Sequence, residues 1–154
     1  YYEVPKYPLD KKMFGVFEHH LSDNTLPIFR GFDDVFFIPH SRHTEIRKED
    51  IEKVDELQVI SHSEEAGVSI VKAKNGRQLF ITGHSEYSRN TLDGEYKRDM
   101  AKNLPIEIPR NYYPDNDPSK TPVMRWKSTA NLLFSNWLNY YVYQETPYDL
   151  EQIS

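Results

Sequence analysis

A histidine and a glutamate separated by one residue are the side chains of this sequence best suited to acid–base chemistry. His84 and Glu86 follow a short apolar segment, Gln78–Thr82, and the turn-forming Gly83. Histidine titrates near neutral pH, and a neighbouring carboxylate can fix its tautomer and orientation. Residues i and i+2 of an extended chain point to the same side, so Glu86 can reach back to His84. The pattern predicts the base and the orienting carboxylate of a catalytic triad, although an incidental pair in a surface loop fits the same residues.

The nucleophile that this pair would activate cannot be a cysteine of the chain, because its 154 residues contain none. The lack of cysteine also excludes disulfides and cysteine-based zinc sites, and it favours a reducing compartment. The net charge of −5 carries no long block of like charge, which argues against a nucleic-acid partner. No apolar stretch approaches the roughly 18 residues of a membrane span, and no signal peptide is evident. A cytoplasmic protein with no membrane partner is therefore expected.

Four further histidines raise the possibility of a metal site. His19 and His20 are adjacent on a predicted strand and would face opposite sides of the sheet, so they cannot easily share one metal ion. His40 and His43 lie three residues apart in a predicted loop without an obvious third ligand. Structural or polar roles are favoured for all four, and no metal is predicted.

Lys12, Ser41 and Arg98 are the remaining polar candidates. The first two lie in predicted loops, where they can bind an anion or a hydroxyl, and Arg98 lies within a predicted helix between Lys97 and Asp99. Taken locally, each of them also fits a solvated surface.

The elements that must position these side chains are a mixture of strands and short helices. Alternating apolar residues and turn signals predict strands at Phe14–Leu21, within Arg30–Ile38 after a turn, and at Leu57–His62, Gly67–Ala73 and Gln78–Thr82. Asn75-Gly76 predicts a tight hairpin turn between the last two strands. Loops are predicted for residues 6–12 and 39–44, and a long ordered loop with five prolines for residues 105–122. The mixture suits part of an α/β sheet.

Three helices are expected, and two of them have a recognisable apolar face. A short charged element covers Arg47–Val54 and a helix covers Leu92–Asn103, with Leu92, Tyr96 and Met100 on one side. The last helix runs from Lys127 to about Tyr143. Its apolar residues are Leu132, Leu133, Trp137, Tyr140 and Tyr141. They are expected to form core or a subunit interface rather than a ligand cage.

Five segments in a fixed order give the chain a family resemblance. They are Gly31-Phe-Asp-Asp34, Pro39-His-Ser-Arg42, Ser63-Glu-Glu-Ala-Gly-Val68, Gly83-His-Ser-Glu-Tyr87 and the fifteen residues from Asn131 to Glu145. Together they resemble the homoserine O-acyltransferases, the O-succinyltransferases and O-acetyltransferases of methionine biosynthesis. The resemblance extends from residue 1 to about Leu150.

The resemblance implies a fold and a place within it. The family is similar to class I glutamine amidotransferases, whose doubly wound, flavodoxin-like α/β domain carries a cysteine at a strand-to-helix elbow. Residues 1–154 would be the C-terminal portion of one such acyltransferase domain, with the nucleophile-bearing N-terminal half absent. The cysteine would then lie a few residues before Tyr1, and residues 1–4 would be the end of its helix.

The resemblance also implies roles. His84 would be the proton acceptor and Glu86 its orienting carboxylate, while Lys12, Ser41 and Arg98 match substrate-binding positions. L-homoserine and an acyl-CoA would be the substrates, without a cofactor, and the choice between acetyl and succinyl stays open. The family often has proline between the histidine and the glutamate, where this chain has Ser85.

Two other functions remain open from the sequence: a glutamine amidotransferase-like hydrolase, and a binding module without catalysis. For the leading interpretation, the isolated chain is expected to be inactive. It is also expected to dimerise or to associate with the missing N-terminal half, because a divided sheet exposes apolar surface.

Overall fold

The computed structural model describes residues 1–74 and 76–144. In this part of the chain, five strands form one sheet in the order β2-β1-β3-β4-β5, and every neighbouring pair is antiparallel. The strands are β1 (Tyr7–Leu21), β2 (Val35–Glu45), β3 (Leu57–Ser63), β4 (Gly67–Ala73) and β5 (Leu79–Ile81). The helices are α1 (Lys48–Ile51), α2 (Thr91–Ala101) and α3 (Lys127–Trp137), and α3 continues as a π-helical turn at Leu138–Tyr143. Short 3₁₀ turns lie at Pro27–Phe29 and Pro114–Asn116.

The two longest strands correct two predicted loops. β1 already begins at Tyr7, so the loop predicted for residues 6–12 is wrong, and β2 continues to Glu45 through the loop predicted for residues 39–44. Proline caused both errors. β2 is an edge strand of the described sheet, where Pro39 can pair with Val16 without needing a second hydrogen-bonding neighbour. A register shift between Pro8 and Met13 accommodates the first proline.

The hairpins that follow agree with the sequence. β3, β4 and β5 coincide with the three predicted strands to within two residues at each end. β4 and β5 pair as an antiparallel hairpin, and Gly76 has a φ of +77°, as a tight turn requires. Asn75, the other residue of the predicted turn, lies outside the described residues.

The helices are confirmed, but their apolar faces are less buried than predicted. In α2, Leu92 and Tyr96 are buried, whereas Met100 is half exposed. On α3, Leu133 is buried, while Leu132 and Trp137 remain more than one third exposed. The prediction that residues 1–4 end a helix is wrong, because residues 1–6 form neither helix nor strand. No helix in the described part of the chain is both long enough and apolar enough to cross a membrane.

The proline-rich loop is held firmly against the sheet. Arg110 forms a parallel bridge with Gly15, in which Val16 N donates to Arg110 O at 2.9 Å and Arg110 N to Phe14 O at 3.0 Å. Tyr112 and Tyr113 of the loop are buried in the same core as Phe14. This confirms the predicted ordered loop, which holds the middle of β1 beside α2.

Candidate active site

The predicted base and its carboxylate meet directly after β5. His84 Nδ1 lies 2.9 Å from Glu86 Oε1, and their side chains are 36% and 61% exposed. A carboxylate accepts hydrogen bonds, so this contact places the imidazole proton on Nδ1. Nε2 is then the nitrogen left to take a proton from a ligand. This contact is the one that the predicted roles of base and orienting carboxylate require.

The backbone beneath this pair rests on β2. His84 N donates to Pro39 O at 2.8 Å. A Cβ atom at Gly83 would lie 2.4 Å from Ile38 Cγ2 and 3.0 Å from the His40 ring. Only glycine allows so close an approach, so the position of His84 follows from contact with the middle of β2.

Tyr87 connects the base to the rest of the site. Its ring stacks on His84 with centroids 4.3 Å apart, and its hydroxyl donates to Glu95 Oε1 at 3.2 Å. The Trp126 indole donates to Tyr87 O at 2.9 Å and fixes the backbone there. Burial, reinforced by the charge of Glu95, raises the pKa of Tyr87 to about 12, so the phenol keeps its proton at neutral pH.

Glu95 is the residue at which the predicted substrate-binding positions meet. Its Oε2 accepts a hydrogen bond from Ser41 Oγ at 2.5 Å and forms an ion pair with Lys12 Nζ at 3.1 Å. Partial burial opposes ionisation of this carboxyl, but the bonds from Ser41 and Lys12 outweigh it and hold its pKa below the usual value. Glu95 is therefore an ionised hub that orients a hydroxyl and an ammonium group.

Arg98 joins the cluster through a neighbour. Its Nε donates to Asp99 Oδ1 at 2.7 Å, and Asp99 Oδ2 lies 3.8 Å from Lys12 Nζ. The guanidinium side chain remains 53% exposed. Because Nε is engaged, the Nη groups are the ones available to grip a carboxylate.

The structure thus brings the five predicted residues into one connected region, but in two groups. His84 and Glu86 form one group, and Lys12, Ser41 and Arg98 form the other around the carboxylates of α2. Tyr87 links the two groups.

Sequence reasoning missed Tyr87, Glu95 and Asp99. A signal for the last two was present, because they lie at helical spacing on the same stripe of α2 as the buried Leu92 and Tyr96. A carboxylate on an apolar stripe needs a partner.

The remaining histidines do not form a metal cluster in the described residues. His19 and His40 are fully buried and contact each other, whereas His43 is exposed on β2. Within residues 1–74 and 76–144, no group of three His, Cys, Asp or Glu side chains is placed to hold a metal ion.

Comparison with known families shows which family the chain belongs to. Residues 1–148 match the family model described as homoserine O-succinyltransferase. The chain belongs to this family. This confirms the resemblance that the five sequence segments indicated.

Curated relatives from several bacteria agree with the family assignment. The chain is 67% identical to a homoserine O-acetyltransferase of Phocaeicola vulgatus, 64% to one of Bacteroides thetaiotaomicron and 62% to one of Desulfitobacterium hafniense, each over 153 residues. Each alignment covers 99% of this chain and 50% of the relative. The chain therefore spans about half the length of the curated relatives it matches.

Solved structures of low sequence identity share the fold. A glutamine amidotransferase from Thermotoga maritima superimposes with a TM-score of 0.59 at 15% identity, over 92% of this chain and 56% of that one. The protein SMU.1228c superimposes with a TM-score of 0.60 at 16% sequence identity, over 88% of this chain and 55% of that one. The predicted fold class, half of a glutamine amidotransferase-like α/β domain, is confirmed. The antiparallel sheet described above belongs to that half.

Proposed function

We propose that this chain is the base-bearing, C-terminal portion of a homoserine O-acyltransferase domain. The observation that carries the proposal is the His84–Glu86 pair at 2.9 Å, within a chain of this family that contains no cysteine. The nucleophile would then come from the part of the longer protein that this chain does not span. The setting would be methionine biosynthesis in the cytoplasm.

The chemistry divides into two transfers. A cysteine thiolate attacks the carbonyl carbon of the acyl-CoA, coenzyme A leaves as a thiolate that takes the proton held by the His84 imidazolium, and a thioester remains on the enzyme. His84 Nε2 then takes the proton from the homoserine hydroxyl as its oxygen attacks the thioester. The O-acyl ester forms and the cysteine thiolate is released. Glu86 keeps the Nδ1–H tautomer throughout and stabilises the imidazolium that forms.

The second group of residues suits the amino-acid substrate. Homoserine carries a carboxylate that the Nη groups of Arg98 can bind as a planar fork. Lys12 and Ser41 offer a cation and a hydroxyl held in fixed positions by Glu95. No cofactor is needed, because the acyl-CoA is itself a substrate.

We propose acetyl-CoA as the donor, on the basis of the acetyltransferase names of the relatives at 62–67% identity. The test is an assay of the full-length protein with L-homoserine and either acetyl-CoA or succinyl-CoA, following thiol release and the O-acyl product by mass spectrometry. Homoserine-dependent release with acetyl-CoA is expected. Release that is independent of homoserine would instead indicate a hydrolase, and release only with succinyl-CoA would reverse the choice of donor.

A further inference from the structure

Two buried histidine rings, one of which packs against Gly83 beside the proposed base, have no role in the proposed reaction. His19 on β1 and His40 on β2 are both fully buried. Their rings stack with centroids 5.1 Å apart and nearly parallel planes, and their Nε2 atoms are 3.1 Å apart. A pair of polar rings in a core of Phe and Ile side chains calls for an explanation, because apolar residues fill such a core at less cost.

The hydrogen bonds around the pair assign one proton to each ring. His19 Nδ1 lies 2.9 Å from Phe17 O, and a carbonyl oxygen only accepts, so Nδ1 carries the proton and Nε2 of the neutral ring accepts. His40 must then donate through Nε2, which leaves its Nδ1 to accept from Arg42 Nε at 3.3 Å. The hydrogen bonds therefore run in one direction, from Arg42 through His40 and His19 to Phe17 O.

This series of hydrogen bonds cannot take up an additional proton. A proton on His19 Nε2 would point at the N–H of His40, and a proton on His40 Nδ1 would point at the N–H of Arg42. Burial lowers the pKa of His19 to about 4 and that of His40 further. Both rings are therefore neutral at physiological pH.

The segment that carries the proposed base, Gly83–His84, packs against the His40 ring. Gly83 approaches the His40 ring so closely that a Cβ atom there would lie 3.0 Å from His40 Cε1 and Nε2. The next residue, His84, is tied by its own N–H to Pro39 O. Arg42 is in turn held by Thr44 O at 2.6 Å and by Ala66 O, so the far end of the chain is anchored as well.

We propose that His40 and His19 are positioning residues for His84. Their hydrogen-bonded, uncharged pair fixes the distance between the Gly83–His84 backbone and β2. It also keeps positive charge away from the imidazolium that forms when the base takes a proton. The inference rests on the proposed function of His84, because a positioning role requires that base to act.

Four variants of the full-length protein test this role. His40→Leu removes both hydrogen bonds, His40→Gln keeps an N–H that can donate to His19, and Gly83→Ala displaces the segment without replacing either histidine. His43→Gln, on the exposed side of the same strand, is the control.

The expected result is a fall in kcat of about 10- to 100-fold for His40→Leu and Gly83→Ala, as small misplacements of a catalytic group produce. The KM for homoserine should change by less than about threefold, and His40→Gln should recover most of the loss. A His40→Leu protein with the wild-type kcat would overturn the proposal. So would equal losses in the Leu and Gln variants that follow the unfolded fraction measured by thermal denaturation.

A second measurement does not depend on activity. Nitrogen-15 NMR of the histidine rings in the full-length protein at pH 7 should show His19 protonated at Nδ1 and His40 at Nε2. The opposite tautomer or a charged ring at either position would overturn the arrangement. Wild-type protein without acyl transfer would refute the proposed function, whereas correct tautomers with a fully active His40→Leu variant would refute the positioning role alone.

Discussion

Glu95 illustrates how much a single carboxylate can organise. Its two oxygens accept hydrogen bonds from Ser41, Lys12 and Tyr87. Glu95 therefore fixes the hydroxyl and the ammonium group of the proposed homoserine site, and it also contacts Tyr87, which stacks on the proposed base. Hydrogen bonds to a charged group contribute more than those between neutral groups, about 1.5–3 kcal/mol each. Loss of this charge should therefore affect substrate handling more than folding.

Glu95→Gln keeps the shape of the side chain and removes its charge. We expect kcat/KM for homoserine to fall about 10- to 100-fold, since a hydrogen bond to a charge corresponds to one or two factors of ten. Steady-state kinetics of the full-length protein measures the effect. Glu107→Gln is the matched control, because Glu107 forms an exposed ion pair with Lys11 and such pairs contribute little. Equal effects of the two substitutions would contradict the role of Glu95.

The buried histidines give the protein a specific pH dependence of stability. Burial lowers the pKa of His19 to about 4 and that of His40 further, so in this range the unfolded chain binds protons that the folded chain does not. The contribution is fully present above the unfolded pKa of about 6.5 and is lost as the pH falls from there toward 4.

Between pH 7.5 and 5.5 we expect the free energy of unfolding to drop by about 1.4 kcal/mol for each of the two rings. Urea unfolding at several pH values measures this slope. His19→Asn should remove roughly half of it, whereas His43→Gln should leave it unchanged. A flat profile for the wild-type protein would show that the rings are not buried in the neutral form.

Among the contacts between elements, β1 and the proline-rich loop approach each other closely through their backbones. Gly15 has a φ of +147°, and a Cβ atom there would lie 2.5 Å from Arg110 O and 2.6 Å from Arg110 N. Backbone atoms cannot move aside without breaking the two hydrogen bonds of this bridge. Gly15→Ala should therefore lower the free energy of unfolding by roughly 2–4 kcal/mol.

Gly94→Ala is the control, and it should act in the opposite direction. Gly94 lies in α2 with nothing within 4 Å of an added Cβ atom. Alanine there should raise stability by about 0.5–1 kcal/mol through its better helix propensity. Chemical denaturation compares both variants, and a neutral Gly15→Ala would contradict the close contact.

The sequence predicted those features that depend on neighbouring residues. The β3–β4–β5 hairpins, the three helices and the His84–Glu86 pair all follow from alternation, turn residues or i, i+2 spacing. The extensions of β1 and β2 could not be predicted, because the prolines in them are tolerated only through sheet position and a register shift. Glu95 was missed for a related reason: its partners Lys12 and Ser41 lie 83 and 54 residues away in the chain.

At the scale of the whole molecule, apolar side chains remain exposed along the last helix. Phe134, Trp137, Leu138 and Tyr143 are between 38% and 69% exposed. The chain also spans only about half the length of its relatives. We expect the remainder of the proposed longer protein or a second copy to cover this surface, because contiguous apolar patches promote association.

The isolated 154-residue chain should therefore self-associate and should lack acyl transfer, since it contains no thiol nucleophile. Sedimentation velocity at micromolar concentration should show species heavier than the 18.3 kDa chain. A double substitution, Phe134→Ser with Leu138→Ser, should reduce that association. A stable monomer with the unaltered surface would contradict this expectation.

We propose His84, oriented by Glu86, as the base of an acyl-transfer site. His84→Ala in the full-length protein tests it most directly, with His62→Ala as control, because His62 also lies two residues before a glutamate and 3.8 Å from its carboxylate, on β3. We expect homoserine-dependent kcat/KM to fall about 10²- to 10⁴-fold for His84→Ala, and the His62→Ala protein to match the wild type. Acyl transfer at the wild-type rate by the His84→Ala protein would show that His84 is not the base.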